Sequence, residues 1–115
     1  MRFFFYGTLL DHAVRRKVVG EGAAVARAVL PGYRRVRVAG KAYPTLVADR
    51  QGKVAGLLCT SNLPDVLARL RAYEGESYEV QACDVVTATG ELVAASVFVA
   101  RAGVAISDEP WEAPD

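Results

Sequence analysis

Residues Phe3-Phe4-Phe5-Tyr6-Gly7-Thr8-Leu9-Leu10 constrain the fold more than any other stretch, because aromatic strand formers end at a glycine and a helical period begins at once. Strand propensity is high through Tyr6, and Gly7 can take backbone angles closed to residues that carry a Cβ. Leu10, Val14 and Val18 then recur at a spacing of four, the period of an amphipathic helix, with Asp11 in its first turn and Gly20 just past its end. A join of this kind can turn backbone N–H groups toward an anion. It is also an ordinary structural corner, so Tyr6-Gly7-Thr8-Leu9 becomes a site only if a chemically active group meets it from elsewhere.

The rest of the chain supplies strands and one clear helix. Ala23 to Leu30 reads as a strand ending at the turn signal Pro31-Gly32, and Tyr33 to Val38 as a second, partly alternating one before Gly40. Short strands are expected at Tyr43 to Ala48 and Lys53 to Thr60, on either side of the polar turn Asp49-Arg50-Gln51-Gly52. Ser61-Asn62 offers a cap for a second helix with Pro64 and Asp65 in its first turn, an apolar stripe of Val66, Leu67, Leu70 and Tyr73, and Gly75 at its end. Tyr78 to Val86 and Leu92 to Ala100 flank the turn Thr87-Ala88-Thr89-Gly90, and the last strand is apolar on both faces, as a barrel strand is. The expected fold is α+β: a small mixed β-barrel with two inserted helices over residues 1–106, then an acidic tail over 107–115 with Trp111 as its anchor.

A chain of 115 residues, 52% hydrophobic, can bury a core without staples and has no room for a second domain. Cys59 and Cys83 have no CxxC pairing and no histidine cluster, so they read as small core residues in a reducing compartment. No apolar run approaches the roughly 20 residues of a membrane helix. Met1-Arg2-Phe3-Phe4-Phe5 is too short an apolar run for a signal peptide, so a cytoplasmic protein without a membrane partner is expected. The net charge of +1 hides an asymmetry: residues 1–60 carry 11 Lys+Arg against 3 Asp+Glu, a net of +8, and residues 61–115 carry 3 against 10, a net of −7. Complementary packing of the two halves explains this, as does a basic rim around a site for an anion. Neither the total charge nor any basic run interleaved with aromatics favours nucleic acid.

Glu74 is the chemically active candidate. It falls seven residues after Leu67 and four after Leu70, on their buried face, and it ends the second helix, where the macrodipole disfavours negative charge. Desolvation and dipole both raise a carboxyl pKa, toward the range of a general base or acid near neutrality. Glu76 and Glu79 lie beyond the helix and read as solvent-facing; His12, the only histidine, reads as exposed beside Asp11. Ser61, Ser77 and Ser96 have no histidine arranged to activate them, which argues against a Ser-His-Asp hydrolase, and no Gly-rich phosphate loop is present.

Tyr6-Gly7-Thr8-Leu9 together with Tyr73-Glu74-Gly75 and Tyr78 resembles the γ-glutamylcyclotransferase family, in its small AIG2-like branch. Pro31-Gly32-Tyr33-Arg34, Tyr43-Pro44, Val54-Ala55-Gly56 and Trp111 extend the resemblance over nearly the whole chain. It implies a mixed β-barrel with a cavity lined by Tyr6, Gly7, Thr8 and Leu9, and Glu74 as the catalytic base. The implied substrate is a small γ-glutamyl compound whose own α-amine attacks its γ-carbonyl, giving 5-oxoproline and an amine or amino acid, with no metal or cofactor. The amides of Gly7 to Leu9, assisted by the first helix's N-terminus, would hold the α-carboxylate or the oxyanion, while Tyr6 and Tyr78 close the pocket and donate hydrogen bonds. Two positions depart from the family pattern: Arg71 stands where an Asp is frequent, and Val80 where many members have Arg. Arg71, three residues before Glu74, would lower the carboxyl's pKa on contact. The alternative is the same cavity without catalysis, binding a carboxylate-bearing metabolite; a third is a domain making protein contacts through its tail and Trp111.

Overall fold

The computed structural model describes residues 1–111. Strand β1 (Arg2–Phe5) is buried on both faces, with Phe3 and Phe5 on one side and Phe4 on the other. A 3₁₀ turn over Thr8–Leu10 follows, and helix α1 (His12–Val19) begins only after it. Leu10 therefore belongs to the turn rather than to the helix that the spacing of four extends back to it. The delay has a local cause: Asp11 is extended and its carboxylate accepts the Val14 N–H at 3.1 Å, which fixes it as the N-cap. Gly20, at φ 79°, ends α1 in a conformation that favours glycine.

Strands β2 (Ala24–Arg37) and β3 (Pro44–Thr60) pair antiparallel along their whole length. Four short strands are expected there, and the structure has two long ones. The two turn signals lie opposite each other: Pro31 pairs with Lys53 and Tyr33 with Ala48, so residues 49–52 bulge out against Gly32. Turn chemistry on both strands at one level bends the hairpin instead of reversing either strand. Gly32 takes φ 88°, and a Cβ on Gly52 would collide with the Tyr33 carbonyl.

Helix α2 (Val66–Glu74) starts at the cap position Asp65, later than Ser61-Asn62 suggests; the Ser61 hydroxyl instead accepts the Leu63 N–H in the approach to it. Strands β4 (Tyr78–Thr87) and β5 (Leu92–Ala100) form the last hairpin. The sheet is a closed barrel in the order β1-β3-β2-β4-β5, sealed by a parallel pairing of Phe3 with Ser96. As expected, β5 is paired on both sides and buries Val97, Phe98 and Val99 in succession.

Two apolar cores result. Phe4, Tyr6, Leu30, Leu46, Val54, Val85, Val97 and Val99 form one cluster, from alternate residues of the staves, and fill the lumen. Phe3, Phe5, Leu9, Val19, Val66, Leu70 and Phe98 form the other, between the barrel wall and the two helices. Beyond β5 the chain returns across β2: Ser107 donates its N–H to the Arg37 carbonyl at 2.8 Å, and Arg37 donates its own to Glu109 at 3.1 Å. Asp108 and Glu109 stand 4.0 and 3.8 Å from Arg34 and Arg37, so the acidic half meets the basic half at this strap. Trp111 is buried at its end; the remainder of the acidic tail, 112–115, lies outside the described residues. Cys59 is a buried free thiol and Cys83 a half-buried one. No described helix is long and apolar enough to cross a membrane.

Candidate active site

At the C-terminal end of β1, where the two cores meet, Tyr6, Gly7, Thr8, Leu9, Glu74 and Tyr78 surround one cavity of about 30 Å³. The six residues singled out in the sequence are thus brought together from β1, the 3₁₀ turn, the end of α2 and the start of β4. Phe4 and Phe5 of β1 line it too, as do Tyr43, Pro44 and Phe98. The last three lie outside the opening segment. These three were not read as site residues, although Tyr43-Pro44 belongs to the motif series and Phe98 to the two-faced apolar strand. The missing step was the bulge, which swings the β2–β3 hairpin tip back over the end of β1.

Glu74 is half-buried, and burial raises its pKa from the ordinary 4.5 to about 7. The lowering expected from Arg71 is absent: that side chain is exposed and borders a neighbouring groove with Glu76, Glu79, Val80 and Arg101, which shares only Tyr78 and Phe98 with the cavity. Both departures from the family pattern therefore line that groove and neither lines the cavity. Glu74 is the one carboxylate on the cavity wall among the described residues, so it can hold or release a proton near neutrality without a competing acid.

The two tyrosines behave differently from the expectation that they donate into the pocket. The Tyr6 hydroxyl donates to the Phe98 carbonyl and the Tyr78 hydroxyl to the Pro44 carbonyl, both at 2.5 Å. Burial, then the neighbouring charges of Tyr78 and Glu74, raises the Tyr6 pKa; burial, then Glu74 and Tyr43, raises that of Tyr78. Both remain neutral phenols with their protons engaged, and each oxygen presents lone pairs, which suits a cationic donor rather than an oxyanion.

The glycine and its followers form the opposite wall. A Cβ on Gly7 would lie 2.9 Å from Pro44 Cγ, so glycine is what permits the turn to pack against the hairpin tip. The N–H groups of Gly7, Thr8 and Leu9 donate to no other described group, whereas Leu10 and Asp11 donate back to Gly7 and Thr8 at 3.0 and 3.2 Å and close the turn. Arg15 Nη1 donates to the carbonyls of Leu9 and Leu10, both at 3.1 Å, and ties the turn to α1. The N-terminus of α1 itself takes no part: it starts at His12, and Asp11 already serves it. At the rim, Thr8 Oγ1 and the Tyr73 hydroxyl share a hydrogen bond of 2.6 Å. Tyr73, expected on the buried stripe, is 40% exposed because this bond holds it at the surface. His12 is exposed and does not line the cavity, and no cluster of three His, Cys, Asp or Glu groups suited to a metal occurs among the described residues.

The family model described as "Gamma-glutamyl cyclotransferase, AIG2-like" matches residues 3–113. The Arabidopsis thaliana Protein AIG2 C is 35% identical over 83 residues, 72% of this chain and 50% of its own length. AIG2-like protein A of the same plant is 34% identical over 76 residues, 66% of this chain and 46% of its own. This chain thus spans about half the length of these curated relatives. An Arabidopsis thaliana protein of known solution structure superposes with a TM-score of 0.78 at 30% identity, over 96% of this chain and 74% of that one. A structure described as "Gamma-glutamyl cyclotransferase" shares the fold, with a TM-score of 0.72 at 14% identity over 93% of this chain and 68% of its own. The closed barrel, its two helices and the family match together establish that the chain belongs to the AIG2-like γ-glutamyl cyclotransferase family.

Proposed function

We propose that this chain catalyses the intramolecular cyclisation of a small γ-glutamyl compound, releasing 5-oxoproline and the attached amine or amino acid. The observation that carries the reading is Glu74, the one carboxylate on the cavity wall among the described residues, with a pKa raised to about 7 by burial. The substrate brings its own nucleophile, so the protein needs a base, a folding pocket and a place for negative charge. Ionised Glu74 takes a proton from the α-ammonium, and the freed amine attacks the γ-carbonyl carbon to form a five-membered ring bearing an oxyanion. The oxyanion then collapses and the bond to the leaving nitrogen breaks as Glu74 returns its proton to that nitrogen; Glu74 next takes the second hydrogen of the ring nitrogen and passes it to the released amine, which departs as an ammonium and leaves the lactam N–H and an ionised Glu74. A free α-amine titrates near pH 8, so the proton passes between groups of similar pKa.

The lone pairs of Tyr6 and Tyr78 receive the ammonium beside Glu74, and the free amides of Gly7, Thr8 and Leu9 receive the α-carboxylate or the oxyanion. A cavity of about 30 Å³ is far smaller than a γ-glutamyl compound, so substrate entry displaces the rim at Thr8, Tyr73 and Tyr43. Incubation with a panel of γ-glutamyl amines and amino acids, with assay of 5-oxoproline, tests the proposal. Turnover by wild type and its loss in Glu74→Gln support it. Ligand-dependent thermal stabilisation without product, equal in both proteins, replaces it with a binding role.

A further inference from the structure

Both walls of the cavity are tied to a residue outside it. Trp111, 6% exposed, donates its indole N–H to the Ala42 carbonyl at 2.8 Å. Its ring lies beneath the Arg35 guanidinium, whose central carbon is 5.8 Å from the ring centroid. Arg35 in turn donates from Nη1 to the Tyr6 carbonyl at 3.0 Å. Ala42 immediately precedes Tyr43 and Pro44, the wall that faces Gly7 and accepts the Tyr78 hydroxyl.

The contact to Tyr6 has a directional consequence. The Tyr6 carbonyl and the Gly7 N–H belong to one peptide plane, which is trans, so they point in opposite directions. Holding that carbonyl against Arg35 therefore aims the Gly7 N–H away from Arg35, and Gly7 is a residue that lines the cavity. An arginine side chain alone is too free to fix a peptide plane; the indole face removes that freedom. Arg35 makes no ion pair among the described residues, so nothing else there competes for its charge.

We infer that Arg35 and Trp111 are positioning residues for the Gly7–Leu9 amides, and that the strap ending in Trp111 is part of the site's machinery. The orientation of the amides stands on its own; that they grip the substrate's carboxylate rests on the function proposed above. Loss of such a grip weakens binding of substrate and transition state alike, so it is read in KM rather than kcat.

The test joins amide resonances of ¹⁵N-labelled full-length protein to steady-state kinetics, for Arg35→Ala, Arg35→Lys, Trp111→Ala and Trp111→Phe. Arg35→Ala and Trp111→Ala are expected to move the Gly7, Thr8 and Leu9 resonances and to raise KM about tenfold with kcat little changed. Arg35→Lys keeps the charge and one donor, and Trp111→Phe keeps a ring under Arg35 but loses the bond to Ala42; both are expected to recover most of each effect. Unmoved Gly7–Leu9 resonances in folded Arg35→Ala or folded Trp111→Ala overturn the inference, whatever the change in Tm. If wild type turns over no γ-glutamyl compound, the resonances still decide the positioning role, and the proposed function fails separately.

Discussion

The two faces of β1 illustrate how a small barrel divides stability from chemistry. Its inner face packs Phe4 into a lumen occupied mainly by aliphatic side chains. Its outer face, Phe3 and Phe5, is covered by α1 and α2, and the second of these brings a carboxylate to the edge of the apolar layer. The two environments meet only at the strand's end, around Tyr6 and Gly7. A filled barrel of this size places its chemistry at a seam, where one helix terminus can deliver a charge that neither core would tolerate inside.

The sharpest way to separate the two faces is Glu74→Gln. It is expected to lower turnover by about 10²- to 10⁴-fold while the circular dichroism spectrum is retained. In wild type, kcat/KM should rise with pH to a plateau above about 7, the pKa of Glu74. Stability moves the opposite way. The carboxyl titrates near 4.5 in the unfolded chain and near 7 in the folded one, so the folded state holds the proton more tightly and loses stability as pH rises between the two. Glu74→Gln should therefore be more stable than wild type at pH 8, by no more than roughly 3 kcal/mol, and equal to it at pH 4.

Leu30→Ala and Leu70→Ala compare the cores directly. Each side chain is fully buried, one in the lumen and one under α2, and each truncation should cost about 2–5 kcal/mol in urea denaturation. Only Leu70→Ala, one turn before Glu74, should also shift the Glu74 titration measured by NMR. An equal shift from Leu30→Ala would erase the distinction between lumen and site. Gly7→Ala is a smaller probe: its methyl meets Pro44, and it should raise KM about tenfold, or about 1.4 kcal/mol. Smallest is Asp11→Ala, which removes the α1 cap at a cost of about 1 kcal/mol and leaves KM unchanged, because that helix end does not face the cavity.

Much of this was legible in the sequence. The aromatic run before Gly7, the two-faced apolar stretch 92–100 and the acidic residue in register with Leu67 and Leu70 specify a buried strand, a barrel stave and a carboxylate with a raised pKa. Those are local patterns, set by residues a few positions apart. The illegible parts depend on pairing. Pro31-Gly32 and residues 49–52 are turn signals taken singly, and become one bulge only when β2 lies beside β3. Arg71 is three residues from Glu74 in sequence, yet it points into a different groove. The tyrosine hydroxyls find backbone carbonyls from strands 34 and 92 residues away, and no periodicity encodes such partners.

The seal between β1 and β5 carries a consequence for how the molecule is made. The β2–β3 and β4–β5 hairpins join neighbours in sequence, so their loops close at low entropic cost. The seal instead pairs Phe3 with Ser96, almost the full length of the chain apart. Phe4 and Phe5 on one side of it and Phe98 on the other all border the cavity. Until β5 has docked on β1, Glu74 stands without the Phe98 side of the cavity, so closure of the barrel and formation of the cavity coincide.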